Sequence, residues 1–301
     1  MSNIFFTNFK EFDRRDDVLN LYFDVRNYLD IYDLVDEKYV MYSVFNENDD
    51  FYVKLFCVNP SGNILDNAIY IDSPFDTRKR LLVIAKDVSS KYTRRGEEEY
   101  IKILKYIKEI VSACVGNYMF FFPSYKLMND VYELAEIMGF TDKVKIICLM
   151  SGMDEEEREE FLNNFSDENN QKHEAGLIGF CVLGGIFSEG IDLKNEMLIG
   201  SIIVGTGLPL VCSEREILKN YYDETGRRGF DYAYLYPGMN KVQQAAGRVI
   251  RTDDDYGVIA LLDERFLQRT YLALFPREWS DYRRTDLENI KEVVEHFCKY
   301  V

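Results

Sequence analysis

The stretch Gln243–Phe266, QQAAGRVIRTDDDYGVIALLDERF, joins a helical pattern to a short apolar run through a polar turn. Its spacing predicts a helix carrying Arg248 and Arg251 three residues apart on one face, with Gly247 letting that helix pack close. GVIALLD then reads as a buried strand ending in an acid. Two guanidinium forks on one rigid face suit bidentate contact with a terminal phosphate, where negative charge grows during transfer. The bland alternative is a pair of surface arginines bridging to Thr252–Asp255. An isolated R-x-x-R reads that way, but that reading loses ground when Gln244, Gly247 and both arginines occur together.

Outward from that stretch, strands and helices alternate from about residue 70 onward. RLLVIAK, YMFFFPS, KVKIICL, LIGFCVL, MLIGSIIVG and GVIALLD are strand-like runs. EEEYIKILKYIKEIV, with apolar residues at 100, 101, 104, 107, 110 and 111, has a helical period, as do Lys126–Met138 and Asp154–Phe165. TDLENIKEVVEHF predicts a closing helix with a capping box made by Thr285 and Glu288. This alternation implies an α/β fold with a doubly wound, mostly parallel sheet covered on both faces. Residues 1–62 read differently: a helical pattern over 14–35, then YVMYSVF and FYVKLFC joined by NENDD as a β-hairpin. Division into a helix-plus-hairpin appendage (1–62) and a main domain (63–301) follows.

With 36 basic against 52 acidic residues the net charge is −16, which argues against a surface that attracts nucleic acid everywhere. A local groove remains compatible, because acid is concentrated in segments such as MDEEEREEF (153–161). No run of apolar residues is long enough to span a membrane and no secretory signal is visible, so a cytoplasmic protein is expected. The six cysteines are scattered singly, with no C-x-x-C pair. Buried thiols are therefore expected, with neither a metal or iron–sulfur cluster nor a disulfide framework.

In doubly wound sheets, ligands bind where loops leave the carboxyl ends of strands. After YMFFF, Ser124 can cap a helix whose free N–H groups suit phosphate, and Tyr125 follows it; a plain N-cap and a core tyrosine are the simpler reading. After LIGFCVL comes GGIFSEGIDL, Gly184–Leu193. Gly184 and Gly185 allow close backbone approach, and Ser188, Glu189 and Asp192 set oxygens around Gly190. Asp192 there suits a hydroxyl or a facing arginine better than a phosphate, and a polar turn capping a helix is the alternative.

QAAGRVIR resembles motif VI of superfamily 2 DNA helicases. SEGIDL resembles motif V, and FFPSY motif IV, of the branch containing XPD and DinG. DYGVIALLDERF and GFDYAYLYPGMNKV also resemble that branch's second motor domain, so the likeness runs over about residues 71–300. It implies a RecA-like second helicase domain facing a first motor domain across an ATP site. Arg248 and Arg251 would be arginine fingers and Gln244 a polar contact in the cleft, with Gly247, Gly190 and Asp192 bordering the nucleotide. Ser124, Tyr125, Gly184, Gly185 and Ser188 would line a groove for single-stranded DNA. ATP and magnesium would be shared with the first motor domain of the same parent chain, since no Gly is followed by Lys here and so no P-loop is present. No acid tetrad for magnesium and no cysteine quartet for an iron–sulfur cluster occur either. SGNILDNAIYI stands where relatives carry motif III, which implies a fragment with a deletion joining the hairpin piece to the motor domain. Two other readings compete: a stand-alone nucleic-acid-binding or regulatory module with a helicase-like fold, and an unrelated doubly wound enzyme. The second lacks G-x-S-x-G and G-x-G-x-x-G motifs.

Overall fold

In a computed structural model, the structure describes residues 39–45, 51–57, 75–141, 144–165, 176–184, 198–250, 252 and 255–300. β1 (Tyr39–Phe45) and β2 (Phe51–Cys57) pair antiparallel from Tyr39 opposite Cys57 to Phe45 opposite Phe51, as the hairpin reading requires. The helical pattern over 14–35 lies outside the described residues.

The main sheet has seven strands: β3 (Arg80–Ala85), β4 (Tyr118–Phe122), β5 (Lys145–Cys148), β6 (Leu177–Val182), β7 (Gly200–Val204), β8 (Gly257–Leu262) and β9 (Arg283–Thr285). Their order is β5-β6-β4-β7-β8-β3-β9, and every pairing is parallel. Between them run α1 (Glu97–Ala113), α2 (Tyr125–Ile137), α3 (Glu155–Asn163), α4 (Ser213–Glu224), α5 (Tyr236–Ala246), the single turn α6 (Arg269–Leu272) and α7 (Ile290–Tyr300). This is the RecA-like α/β architecture expected, with a sheet that is wholly parallel.

Alternation along each strand divides the core into two layers, because successive side chains leave a strand on opposite faces. Tyr118, Phe120 and Phe122 of β4 join Ile103, Ile107 and Ile110 of α1, Val131 of α2 and Val294 of α7. Met119 and Phe121 join Phe161 of α3 and Met239, Val242 and Ala245 of α5 on the other face. Each fully buried Phe contributes about 1.5–3 kcal/mol from removal of apolar surface. Gly179 in β6 is a glycine for lack of room, since a Cβ there would come within 2.7 Å of the Phe165 ring and 3.1 Å of the Phe161 ring.

Four expectations are corrected. The helix of the opening stretch stops at Ala246, before Arg248; Gly247 is its C-cap, and Arg248 N–H donates to the Ala245 carbonyl at 3.3 Å in a tightened last turn. Val249 then turns inward against Gly257 at the start of β8, which requires the helix to end. Gly247 itself is exposed, and a Cβ on it would meet only the Gln243 and Gln244 carbonyls at 3.3 and 3.7 Å, so close packing is not its role. The closing helix is capped one residue later than expected. Asp286 and Asn289 exchange hydrogen bonds, each side chain accepting from the other's backbone N–H at 3.2 Å, because Thr285 is taken up as the last residue of β9. Finally, Cys114 and Cys298 form a disulfide with Cα atoms 6.1 Å apart. They lie 184 residues apart, so only the packing of α7 on α1 brings them together. Cys181 is buried, Cys148 half-buried and Cys212 exposed. Burial holds the Cys148 thiol up at about 12.

Candidate functional site

Two ends of the sheet carry the residues singled out in the sequence. Helix α5 runs antiparallel to the strands. Near its start, Gly238 packs on the Thr206 and Gly207 backbone just beyond β7. At its far end the buried Ser201 hydroxyl, at the beginning of β7, donates to the Ala245 carbonyl at 2.9 Å. Arg248 therefore lies at the amino ends of the strands. Ser124 and Gly184 follow the carboxyl ends of β4 and β6, a strand length away, about 16 Å for five residues. Loops beyond the carboxyl ends therefore do not include Arg248, and DYAYL, which alternates as a strand does, does not form one. Asp231–Leu235 is instead a π-helical turn feeding α5.

At the amino edge, Arg248 is half-buried and Gln244 is exposed on α5. The Arg248 backbone is tied to Ala245, and the neighbouring Ala245, Ala246 and Val249 are buried. A cavity of about 320 Å³ opens beside it, lined by Gly247, Gln243, Ile250, Arg80, Phe75 and Trp279 among others. The Gln243 side chain donates to the Leu274 carbonyl at 3.0 Å, so that side chain braces the helix against the segment before Trp279. Arg80 donates to Asp281 at 2.8 Å and to the Glu278 carbonyl, which positions its guanidinium at the cavity wall. Arg251 lies outside the described residues.

At the carboxyl edge, Ser124 is the N-cap of α2, its hydroxyl accepting from Leu127 N–H at 3.3 Å. Tyr125 is half-buried and packs against the core. Gly184 has φ +75°, a conformation that disfavours a side chain, and a Cβ on it would fall 2.5 Å from Cε and Nζ of Lys241. Glycine thus lets the Lys241 ammonium lie over the backbone where β6 ends. Gly185, Ser188, Gly190 and Asp192 lie outside the described residues.

Beside this edge, beyond β3 and β8, sits an ionic network that the sequence reading missed. Asp263 is fully buried and accepts from Ser90 N–H and Oγ at 2.8 Å, while Arg265 donates to it through Nε at 2.9 Å and NH2 at 2.8 Å. Burial alone would push this carboxyl up, but Arg265 and the two backbone N–H groups hold it below its usual value. Glu99, also buried, opposes its desolvation in the same way through Ser89 N–H, Arg94 and Lys102. Glu264 joins the two clusters by pairing with Arg94 at 2.9 Å and Lys91 at 3.2 Å. The one signal in the sequence was the acid ending GVIALLD.

With this geometry in place, comparison with known proteins is decisive. The helicase C-terminal domain family matches residues 107–282, more than half of the chain. The chain belongs to that family. Its matched span includes Ser124, Gly184, Lys241, Gln244, Arg248 and Asp263. The helicase domain is 29% identical over 237 residues to a probable ATP-dependent helicase of Methanocaldococcus jannaschii, covering 71% of this chain and 35% of that protein. It is 28% identical over 189 residues to the XPD/RAD3 helicase subunit of the general transcription and DNA repair factor IIH of Saccharomyces cerevisiae, covering 60% of this chain and 24% of that one. A solved XPD helicase shares the fold with a TM-score of 0.54 at 22% identity, covering 69% of this chain and 35% of that chain. The chain is a C-terminal domain of the XPD type of superfamily 2 helicase, and it spans about a third or less of these relatives. No helix among the described residues is long and apolar enough to cross a membrane.

Proposed function

We propose that this chain is the second motor domain of an ATP-dependent DNA helicase, closing a shared ATP site against a first motor domain. Arg248 and Arg251 act as arginine fingers on the transferred phosphate, and Gln244 is a polar contact in the cleft. Gly247, Gly190 and Asp192 border the nucleotide. Ser124, Tyr125, Gly184, Gly185 and Ser188 contribute part of a groove for single-stranded DNA. Residues 63–301 form the motor domain, and residues 1–62 border its neighbour.

The observation that carries this reading is the setting of Arg248. It is half-buried in the turn that ends α5, among the buried Ala245, Ala246 and Val249, and its chain neighbours Gly247 and Ile250 line an open cavity. A finger stabilises charge that develops during transfer, and it does so best when it needs no reorganisation at that moment. Gly247 and Arg80 in the cavity wall fit a polyphosphate facing this edge: one leaves the wall open and the other supplies a second cation. ATP with its magnesium supplies the phosphoryl group. This chain's own residues orient it and neutralise charge, whereas the phosphate cradle and magnesium carboxylates belong to the first motor domain.

The purified chain is therefore expected to show no DNA-stimulated ATP hydrolysis, because the phosphates have no cradle. Phosphate release with and without a single-stranded oligonucleotide measures this. Sustained turnover that follows the chain through purification would overturn the half-site reading.

A further inference from the structure

At the opposite end of α5 from Arg248, the chain builds a second polar cavity, of about 350 Å³. Arg228, Asp231, Tyr236, Arg269 and Thr270 line it. Asp231 is 4% exposed and pairs with Arg228 through Oδ2 at 3.1 Å, yet its Oδ1 is buried with no hydrogen-bond partner. A buried carboxylate oxygen left in this state carries an uncompensated desolvation cost and is an acceptor awaiting a donor. Arg269 opens α6 and is exposed, and among the described residues its guanidinium enters no hydrogen bond or ion pair. Tyr236, 36% exposed, meets Tyr232 edge-on at 5.1 Å. Tyr232 stacks on Tyr222 at 4.1 Å, with the Arg227 guanidinium 5.6 and 5.7 Å from the two ring centroids. A cation-capped aromatic ladder thus ends at the cavity.

These groups define the ligand's chemistry. Two arginines call for an anion, and the free Asp231 oxygen calls for a hydrogen-bond donor, so a bare anion satisfies only half of the site. The exposed ring calls for a flat face. We propose that this cavity holds one nucleotide of a single strand, with its phosphate between Arg228 and Arg269, its base against Tyr236, and a base N–H donating to Asp231 Oδ1. Each of the four bases carries an N–H on its pairing edge, which is free in a single strand and occupied in a duplex. The site therefore selects single strands without selecting sequence. Aromatic stacking beside a basic groove is the general means of such recognition. In a chain of net charge −16 a polyanion needs a local positive patch, and Arg227, Arg228 and Arg269 supply one. The proposal rests on the single-strand reading above and adds a site that reading does not contain.

The test is titration of a fluorescein-labelled oligothymidylate with the 301-residue chain at two salt concentrations. Arg269→Gln and Tyr236→Leu are compared with the parent sequence, and thermal midpoints verify that both variants fold. Arg269→Gln is expected to weaken binding several-fold and to reduce the salt slope by about 0.7, the share of one phosphate on a single strand. Tyr236→Leu is expected to weaken it roughly fivefold or more, with the slope unchanged. Asp231→Asn keeps the shape but adds a competing donor, and is expected to weaken binding as well. If the parent binds and both surface variants bind equally well, this site is wrong while the single-strand reading stands. If the parent does not bind, both fall. Displacement of the strand by a phosphopeptide as readily as by unlabelled oligonucleotide would also overturn the proposal, since it would show that the base contributes nothing.

Discussion

Asp263 shows how a charge is kept inside this domain. It is fully buried at the end of β8, and Arg265, Ser90 and two backbone N–H groups hold it ionised. Removing one member of a buried pair strands the other, so Asp263→Asn is expected to cost about 3 kcal/mol near neutral pH. Its folded value is lowered, so its contribution is complete above the ordinary carboxylate range near pH 4 and is lost as pH falls below that range. Thermal midpoints of Asp263→Asn and the parent should accordingly keep a constant gap above about pH 5 and converge only as pH falls below about 4; a gap that stays constant below that pH as well would show that the carboxylate's charge is not what stabilises the site. At this scale the sequence was only partly legible. The identities of Ser124 as a cap and Gly184 as a special turn were readable, because their local chemistry is short-range. Asp263 paired with Ser90 was not, because 173 residues separate the two.

Strands and core helices were the most legible elements, since YMFFF alternates into both layers and α1 carries a continuous apolar stripe. Helix α4 escaped notice because it buries no residue fully, holding instead through contacts such as Arg215 to the Ala233 carbonyl at 3.1 Å. The π-helical turn Asp231–Leu235 was hidden because DYAYL alternates as a strand does, although buried Ala233, Tyr234 and Leu235 are set by helical packing. The end of α5 at Ala246 was missed because Arg248 continues the helical spacing, whereas inward packing of Val249 terminates it. Two element-level consequences are measurable. Gly179→Ala forces the Phe161 and Phe165 rings of the α3 layer to shift, which should destabilise the domain by about 1–3 kcal/mol in denaturant unfolding. The Cys114–Cys298 bridge fastens α7 to α1. Cys298→Ser should lower stability by about 2–4 kcal/mol under oxidising conditions and abolish sensitivity to reductant; equal stability with and without the bridge would show that apolar packing of residues such as Ile290, Val294 and Phe297 suffices to hold α7.

For the whole molecule, parallel strands give the domain two unlike edges, and α5 runs from one to the other. Its first turns border the carboxyl edge with Lys241 over Gly184, and its last residue leads into Arg248 at the amino edge. In the proposed motor, the strand and the nucleotide would approach opposite ends of one rigid helix, so that closure on ATP is felt at the strand through a packed element rather than a loop. In that proposal the net charge of −16 would confine nucleic-acid contact to that edge, and the isolated domain is expected to bind weakly, on the order of 10⁻⁴ to 10⁻⁶ M and not at high salt. The central claim is that Arg248 and Arg251 act on the phosphate as it is transferred. The most direct measurement is steady-state ATP hydrolysis by the two-domain parent carrying Arg248→Ala or Arg251→Ala. Each substitution is predicted to lower kcat by roughly 10³-fold or more with much less effect on ATP affinity, because the lost contacts act on charge that develops only in the transition state. Parental kcat in both variants would contradict the account.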